Sequence, residues 1–158
     1  MIRSWLLAAV LGLCTSAASA FTLVGKWNCD PLVEPDFRMT VSLDYRSNGN
    51  TRHFVEAEGK VPDGDLSLSL RVFGTWSLLG IELTEEVKRH RLQSVSLDGE
   101  TLSGGPFWDQ LAADLADSLS NVDEEEPATI RPLSDTAFEM NDGSVLLTCR
   151  RPGTRVTS

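Results

Sequence analysis

Two histidines, three cysteines and 23 carboxylates are the groups with which this chain could do chemistry. His53 stands near Glu56 and Glu58, and His90 follows Glu85 and Glu86. Neither set has the two-histidine helical spacing of a hydrolytic zinc site, so both histidines read as surface residues on polar strands and no metal is expected. A serine nucleophile needs a positioned base and an oxyanion pocket. There is no Gly-x-Ser-x-Gly elbow, and the serines fall on outward strand positions or in turns. Gly104-Gly105 precedes a helix-like segment but lacks the following Lys-Ser or Lys-Thr of a phosphate loop. Carboxylate pairs abound, and spacing alone singles out none of them. The expectation is a protein with no catalytic residue and no cofactor, not an enzyme.

The cysteines carry more information. Residues 1–20 have the three parts of a secretory leader: Arg3, an apolar run over 5–13, and Ala18-Ser19-Ala20 before the expected cleavage point. The apolar run is shorter than the roughly 20 residues a bilayer crossing needs, and no later stretch reaches that length. Leu11-Gly12-Leu13-Cys14 loosely resembles a bacterial lipoprotein signal, but the large Leu13 departs from the small residue that pattern places before its cysteine. With the leader gone, Cys29 and Cys149 remain in an exported, oxidising setting, where an even pair reads as a disulfide. Two separate buried thiols are the alternative, and a metal held by a lone cysteine pair is a weaker one. If the two are joined, the first and last strands are neighbours, and antiparallel strands whose ends meet make a barrel.

Residues 21–158 suit one domain with a real core. The formal net charge of −9 argues against nucleic acid and against adhesion to anionic lipid. An acidic surface serves solubility first, and a specific basic partner is the sharper alternative.

The elements follow from periodicity. Phe37, Met39, Val41, Leu43 and Tyr45 alternate with polar residues as in a half-buried strand, and Asn48-Gly49 supplies a tight turn into a returning strand over 51–60. Pro31 and Pro35 read as a loop before this hairpin. Leu66, Leu68, Leu70, Val72, Trp76 and Leu78 share one face with Gly74, a period of two that only a strand produces. Gly74 suggests a bend, bulge or close approach there. Residues 81–97 read as one broken or two short strands, and Asp98-Gly99 opens another hairpin. The period then changes. Over 106–122 the apolar residues Phe107, Leu111, Leu115, Leu119 and Val122 fall four and three apart beside Trp108 and Ala112, an amphipathic helix begun by Pro106. Its apolar face needs cover, most simply at the side or open end of the barrel. The acidic run 123–126 then leads to three last strands over 128–133, 137–141 and 144–151.

Gly25-Lys26-Trp27 on the first strand, Gly74-Thr75-Trp76 further on, and Cys149-Arg150-Arg151 on the last strand resemble the lipocalin or calycin barrel signature, closest to small bacterial extracytoplasmic lipocalin-like domains. The resemblance implies that Trp27 closes one end of the barrel and that Arg150 or Arg151 lies across its ring, a favourable cation–π arrangement. The helix departs from that pattern, because it precedes the last three strands instead of following them all.

The fold expected is therefore all-β with one helix: an antiparallel meander closing into a lipocalin-like barrel of about 8 to 10 strands. Its expected role is an exported soluble binding module in a bacterial periplasm or outside the cell. The inward residues Tyr45, Leu68, Leu70, Val72 and Trp76 are the candidates to line a small apolar or amphipathic ligand. Read blandly, Trp76 and these leucines are simply core, since a barrel of eight strands can be filled by side chains or hold one small ligand. The alternative function is an interaction factor with a solid barrel, whose acidic helix and 123–126 run engage an envelope protein.

Overall fold

The computed structural model describes residues 21–120 and 126–154. The expected leader, the 123–125 part of the acidic run, Val122 and the side chains of Leu115 and Leu119 lie outside the described residues. In chain order the elements are β1 (Gly25–Cys29), β2 (Leu32–Glu34), β3 (Phe37–Tyr45), β4 (Asn50–Val61), β5 (Gly64–Leu79), β6 (Glu82–Leu97), β7 (Glu100–Leu102), α1 (Pro106–Ser120), β8 (Ala128–Ser134), β9 (Ala137–Asn141) and β10 (Leu146–Arg150). The Pro31 to Pro35 segment, expected as a loop, carries the short strand β2. It forms because the chain turns back on itself there, so that Leu32 and Glu34 pair with Met39 and Phe37.

All pairings are antiparallel. Eight strands close a ring in the order β1, β10, β9, β8, β6, β5, β4, β3 and back to β1, with β2 and β7 added to β3 and β6 outside it. The helix precedes the last three strands, as periodicity predicts. Ring closure is confined to one end for a simple reason of length. The strands β1, β8, β9 and β10 have 5, 7, 5 and 5 residues, whereas β4, β5 and β6 have 12, 16 and 16. The long strands run on past the ring as an open arm, where β2 and β7 form the outermost pairs.

Strand β6 explains why its sequence reads as broken. It is one strand with two bulges against β5: Phe73 pairs Arg89 while Gly74 pairs Val87, and Leu70 pairs Leu92 while Ser69 pairs Ser94. Lys88 and Gln93 are the extra residues. Each insertion reverses which parity faces inward, so no single alternation survives along the strand. Gly74 sits at the first bulge, and a Cβ there would collide with the Glu86 carbonyl oxygen and meet Thr51 Oγ1 at 3.1 Å. Gly74→Ala must therefore push the bulge apart, and a loss of about 1 to 3 kcal/mol is expected in urea unfolding. A variant as stable as the parent would mean that the bulge is soft.

The ring end is the dense part of the molecule. Trp27, Tyr45, Phe138, Leu23, Leu83 and Cys149 are each less than 2 % exposed and join Cys29, Leu43 and Ile130 in one core cluster. Val95, equally buried, lies apart from it on the arm, opposite Leu68. Along the arm the same inward face is less covered. Met39, Val55, Ala57, Leu66 and Leu68 remain half-buried, although α1 packs on β6.

Candidate functional site

Two constructions stand inside the barrel. The first is the seam at the closed end, where Cys29 and Cys149 are register partners on β1 and β10 and are disulfide-bonded. Two residues earlier on β1, Trp27 packs edge-on against Phe138 with ring centroids 4.7 Å apart, and Phe21 flanks both rings. The Trp27 indole N–H donates to the Leu23 carbonyl at 2.7 Å. The guanidinium over the Trp27 ring is that of Arg151, with Cζ 3.8 Å from the centroid, and it also donates to the Thr22 carbonyl at 3.0 Å. Burial lowers the pKa of Arg151 from its ordinary value, yet arginine stays charged at neutral pH. Arg150, one residue away and on the opposite face, pairs instead with Asp30. The Gly-x-Trp spacing has a steric cause here: a side chain on Gly25, whose φ is +120°, would occupy the space of the Arg151 guanidinium.

The second construction starts in the ring core at Tyr45 and reaches toward the arm. Tyr45 at the end of β3 packs edge-on against both His53 of β4 and Trp76 of β5, each with ring centroids 5.3 Å apart. His53 Nε2 is 2.7 Å from a carboxylate oxygen of Glu85 on β6. The expectation of a surface histidine fails for His53, whose side chain is 12 % exposed. It shares the inward parity of Thr51, Val55 and Ala57, which was the available signal in the sequence. Its partner is not the nearby Glu56 or Glu58 but Glu85, 32 residues away, because both of those are on the outward parity of β4. The Trp76 indole N–H is taken by the Arg46 carbonyl at 3.0 Å, so this ring is anchored from behind.

Two polar atoms in this cluster, Tyr45 Oη and His53 Nδ1, are buried without a hydrogen-bond partner. Buried polar atoms seldom go unpaired, since each costs about 1 to 3 kcal/mol of lost solvation. Burial foremost, and then the neighbouring Glu85 carboxylate, push the Tyr45 phenol well above its ordinary pKa. Glu85 thus lies close enough to act on the phenol, but its geometry falls short of a hydrogen bond. Of the residues expected to line a ligand, Tyr45 and Trp76 are thus in contact, and Leu70 and Val72 are buried next to them on the same face of β5. Leu68 is one step further out on the arm. His53 and Glu85 are the additions the fold makes to that set.

Tyr45→Phe is expected to be neutral or to stabilise by up to about 1 kcal/mol, because it deletes an unpaired buried hydroxyl while keeping the ring. The variant should also resist alkali better. A phenol whose folded pKa is raised keeps its proton where the unfolded chain, titrating near pH 10, releases it, so parent stability falls as pH rises above about 10. Melting curves between pH 8 and 11 would check this. A parent and variant that decline in parallel would remove Tyr45 as the cause.

Among the described residues no three His, Cys, Asp or Glu side chains converge as a metal site would require. No described helix is long and apolar enough to cross a membrane. The chain matches no protein-family model and no curated protein.

Proposed function

We propose that this chain is an exported, lipocalin-like binding module that holds a small amphipathic molecule in the open half of its barrel. The apolar part of the ligand lies on Leu68, Leu70, Val72 and the half-buried face of the arm. Its polar head meets Tyr45 and His53. One observation carries this reading: the two unpartnered buried atoms, Tyr45 Oη and His53 Nδ1, belong to rings in edge contact on the inward face that leads from the filled ring to the less covered arm. A phenol can donate and an imidazole nitrogen can donate or accept, so together they suit a carboxyl, hydroxyl or amide head. Export to a periplasm or beyond is supported by the leader-like 1–20 stretch and by the disulfide.

The test is a titration of purified protein with fatty acids, monoacylglycerols and lysolipids, read by intrinsic tryptophan emission and by melting temperature. Saturation at about 100 times Kd should raise stability by about 2.7 kcal/mol, and Tyr45→Phe should weaken the polar-headed ligands while leaving the fold intact. Flat emission and an unmoved melting temperature across the panel would sink the proposal. The interaction-factor reading is favoured by a different fact, the packing of Trp27, Tyr45, Phe138 and Leu83 in the ring to near-zero exposure. A stoichiometric protein recovered from an envelope extract, with no extractable lipid, would select it.

A further inference from the structure

The outer face of the same sheet carries a second, unrelated concentration of chemistry. Register places Arg52, Phe73 and Arg89 in one row across β4, β5 and β6, and Phe54, Arg71 and Arg91 in the next. Arg52 and Arg89 lie over the Phe73 ring at 5.7 and 4.6 Å, which holds both guanidiniums in place. Where the second row continues to β3 and β1, a groove of about 330 Å³ opens beside Lys26, Asn28, Ser42, Arg52, Phe54 and Arg71. Asp44 also lines it, but its carboxylate pairs with Arg46 at 3.5 Å.

This arrangement is costly as it stands. Arg71 and Arg91 are direct cross-strand partners, and like charges in that relation repel. Arginine cannot escape by losing its proton. In a chain of net charge −9, carboxylates are plentiful, yet among the described residues none forms an ion pair with Lys26, Arg52, Arg71, Arg89 or Arg91. We propose that the groove at Lys26, Arg52 and Arg71 binds a soluble small molecule bearing phosphate or sulfate groups. Guanidinium forks match such oxyanions, and several cations around one groove suit a multiply charged group. Ser42 donates to Asn28 Oδ1 at 3.1 Å, which leaves the Asn28 amide N–H groups as further donors. Phe54 offers an apolar contact for the rest of the ligand. The concave site fits a free molecule better than a flat bilayer.

The experiment is calorimetric titration of the purified disulfide-bonded protein with inorganic pyrophosphate at low ionic strength. Saturable one-site binding that weakens as salt is added is expected. Arg52→Gln and Arg71→Gln should each weaken it by about tenfold or more, the loss expected for a charge-assisted hydrogen bond. Arg131→Gln, on β8 in a pair with Glu139, should leave it unchanged. Ligand-free Arg71→Gln should melt at or above the parent temperature, because the repulsion with Arg91 is gone, so lost binding is separable from lost folding. No saturable heat, equal weakening by Arg131→Gln, or binding to phosphatidylglycerol vesicles without any to pyrophosphate would each overturn the proposal.

Discussion

Replacing both bridging cysteines, Cys29→Ser with Cys149→Ser, is expected to lower the unfolding free energy by about 4 to 5 kcal/mol. The bridge spans a sequence separation of 120, so it restricts the unfolded chain strongly. It also holds one of the two thinnest joints of the ring, the other being β6 with β8, which likewise share two register pairs. β1 and β10 share two register pairs, Asn28 with Arg150 and Cys29 with Cys149, reinforced by the Asp30 amide donating to the Thr148 carbonyl at 2.8 Å. Few hydrogen bonds stand behind the covalent link, while β4 is paired with β5 along its whole length. Since domains of this kind have roughly 5 to 15 kcal/mol in total, the variant should be close to unfolded at 37 °C. Urea unfolding of the parent with and without reductant gives the same comparison without mutation. A drop below about 1 kcal/mol would show that the ring holds its seam by packing alone.

Trp27→Ala should be the most damaging single substitution in the core, at about 3 to 5 kcal/mol. The ring is fully buried, it contacts Phe138 and Phe21, its N–H is satisfied by Leu23, and Arg151 covers its face. Removing it would leave a cavity and strip a guanidinium of its platform at once. The contributions can be separated. Trp27→Phe retains an aromatic face but leaves the Leu23 carbonyl without its donor, a net cost near 1 kcal/mol before any loss of packing. Arg151→Ala removes the cation and its bond to Thr22, for roughly 1 to 2 kcal/mol. The expected order is Trp27→Ala well above Trp27→Phe and Arg151→Ala. If Arg151→Ala costs as much as Trp27→Ala, the guanidinium and not the ring organises that end of the barrel.

The proposed inner ligand site and the proposed outer anion groove sit on opposite faces of β4 and β5, separated by one backbone thickness. His53 and Phe54 are consecutive residues whose side chains point to different sides, although His53 also borders the groove. Their independence is testable: Arg71→Gln should leave lipid binding untouched, and Tyr45→Phe should leave pyrophosphate binding untouched. The pleat is the physical reason, because successive side chains on a strand point to opposite faces.

Most element types, though not the short strand β2, could be read from the sequence, since alternation of apolar and polar residues is a property of each strand alone. The period-two run of Leu66 to Leu78, the change to helical spacing at Pro106 and the turn at Asn48-Gly49 all required no knowledge of neighbours. The pairing of the chain's two ends was legible too, because two cysteines in a chain expected to be exported leave few alternatives. How strands stand beside one another, in contrast, emerges from the folded molecule. His53 meets Glu85, and Arg52, Arg71, Arg89 and Arg91 gather on one face, through registers fixed by turns and by the two bulges of β6. A bulge shifts parity by one residue: the broken alternation over 81–97 and Gly74 mark an interruption, but neither says which residues pair on each side of it. The location of the open half likewise follows from a mismatch in strand lengths, a relation between elements and not a feature of any one of them.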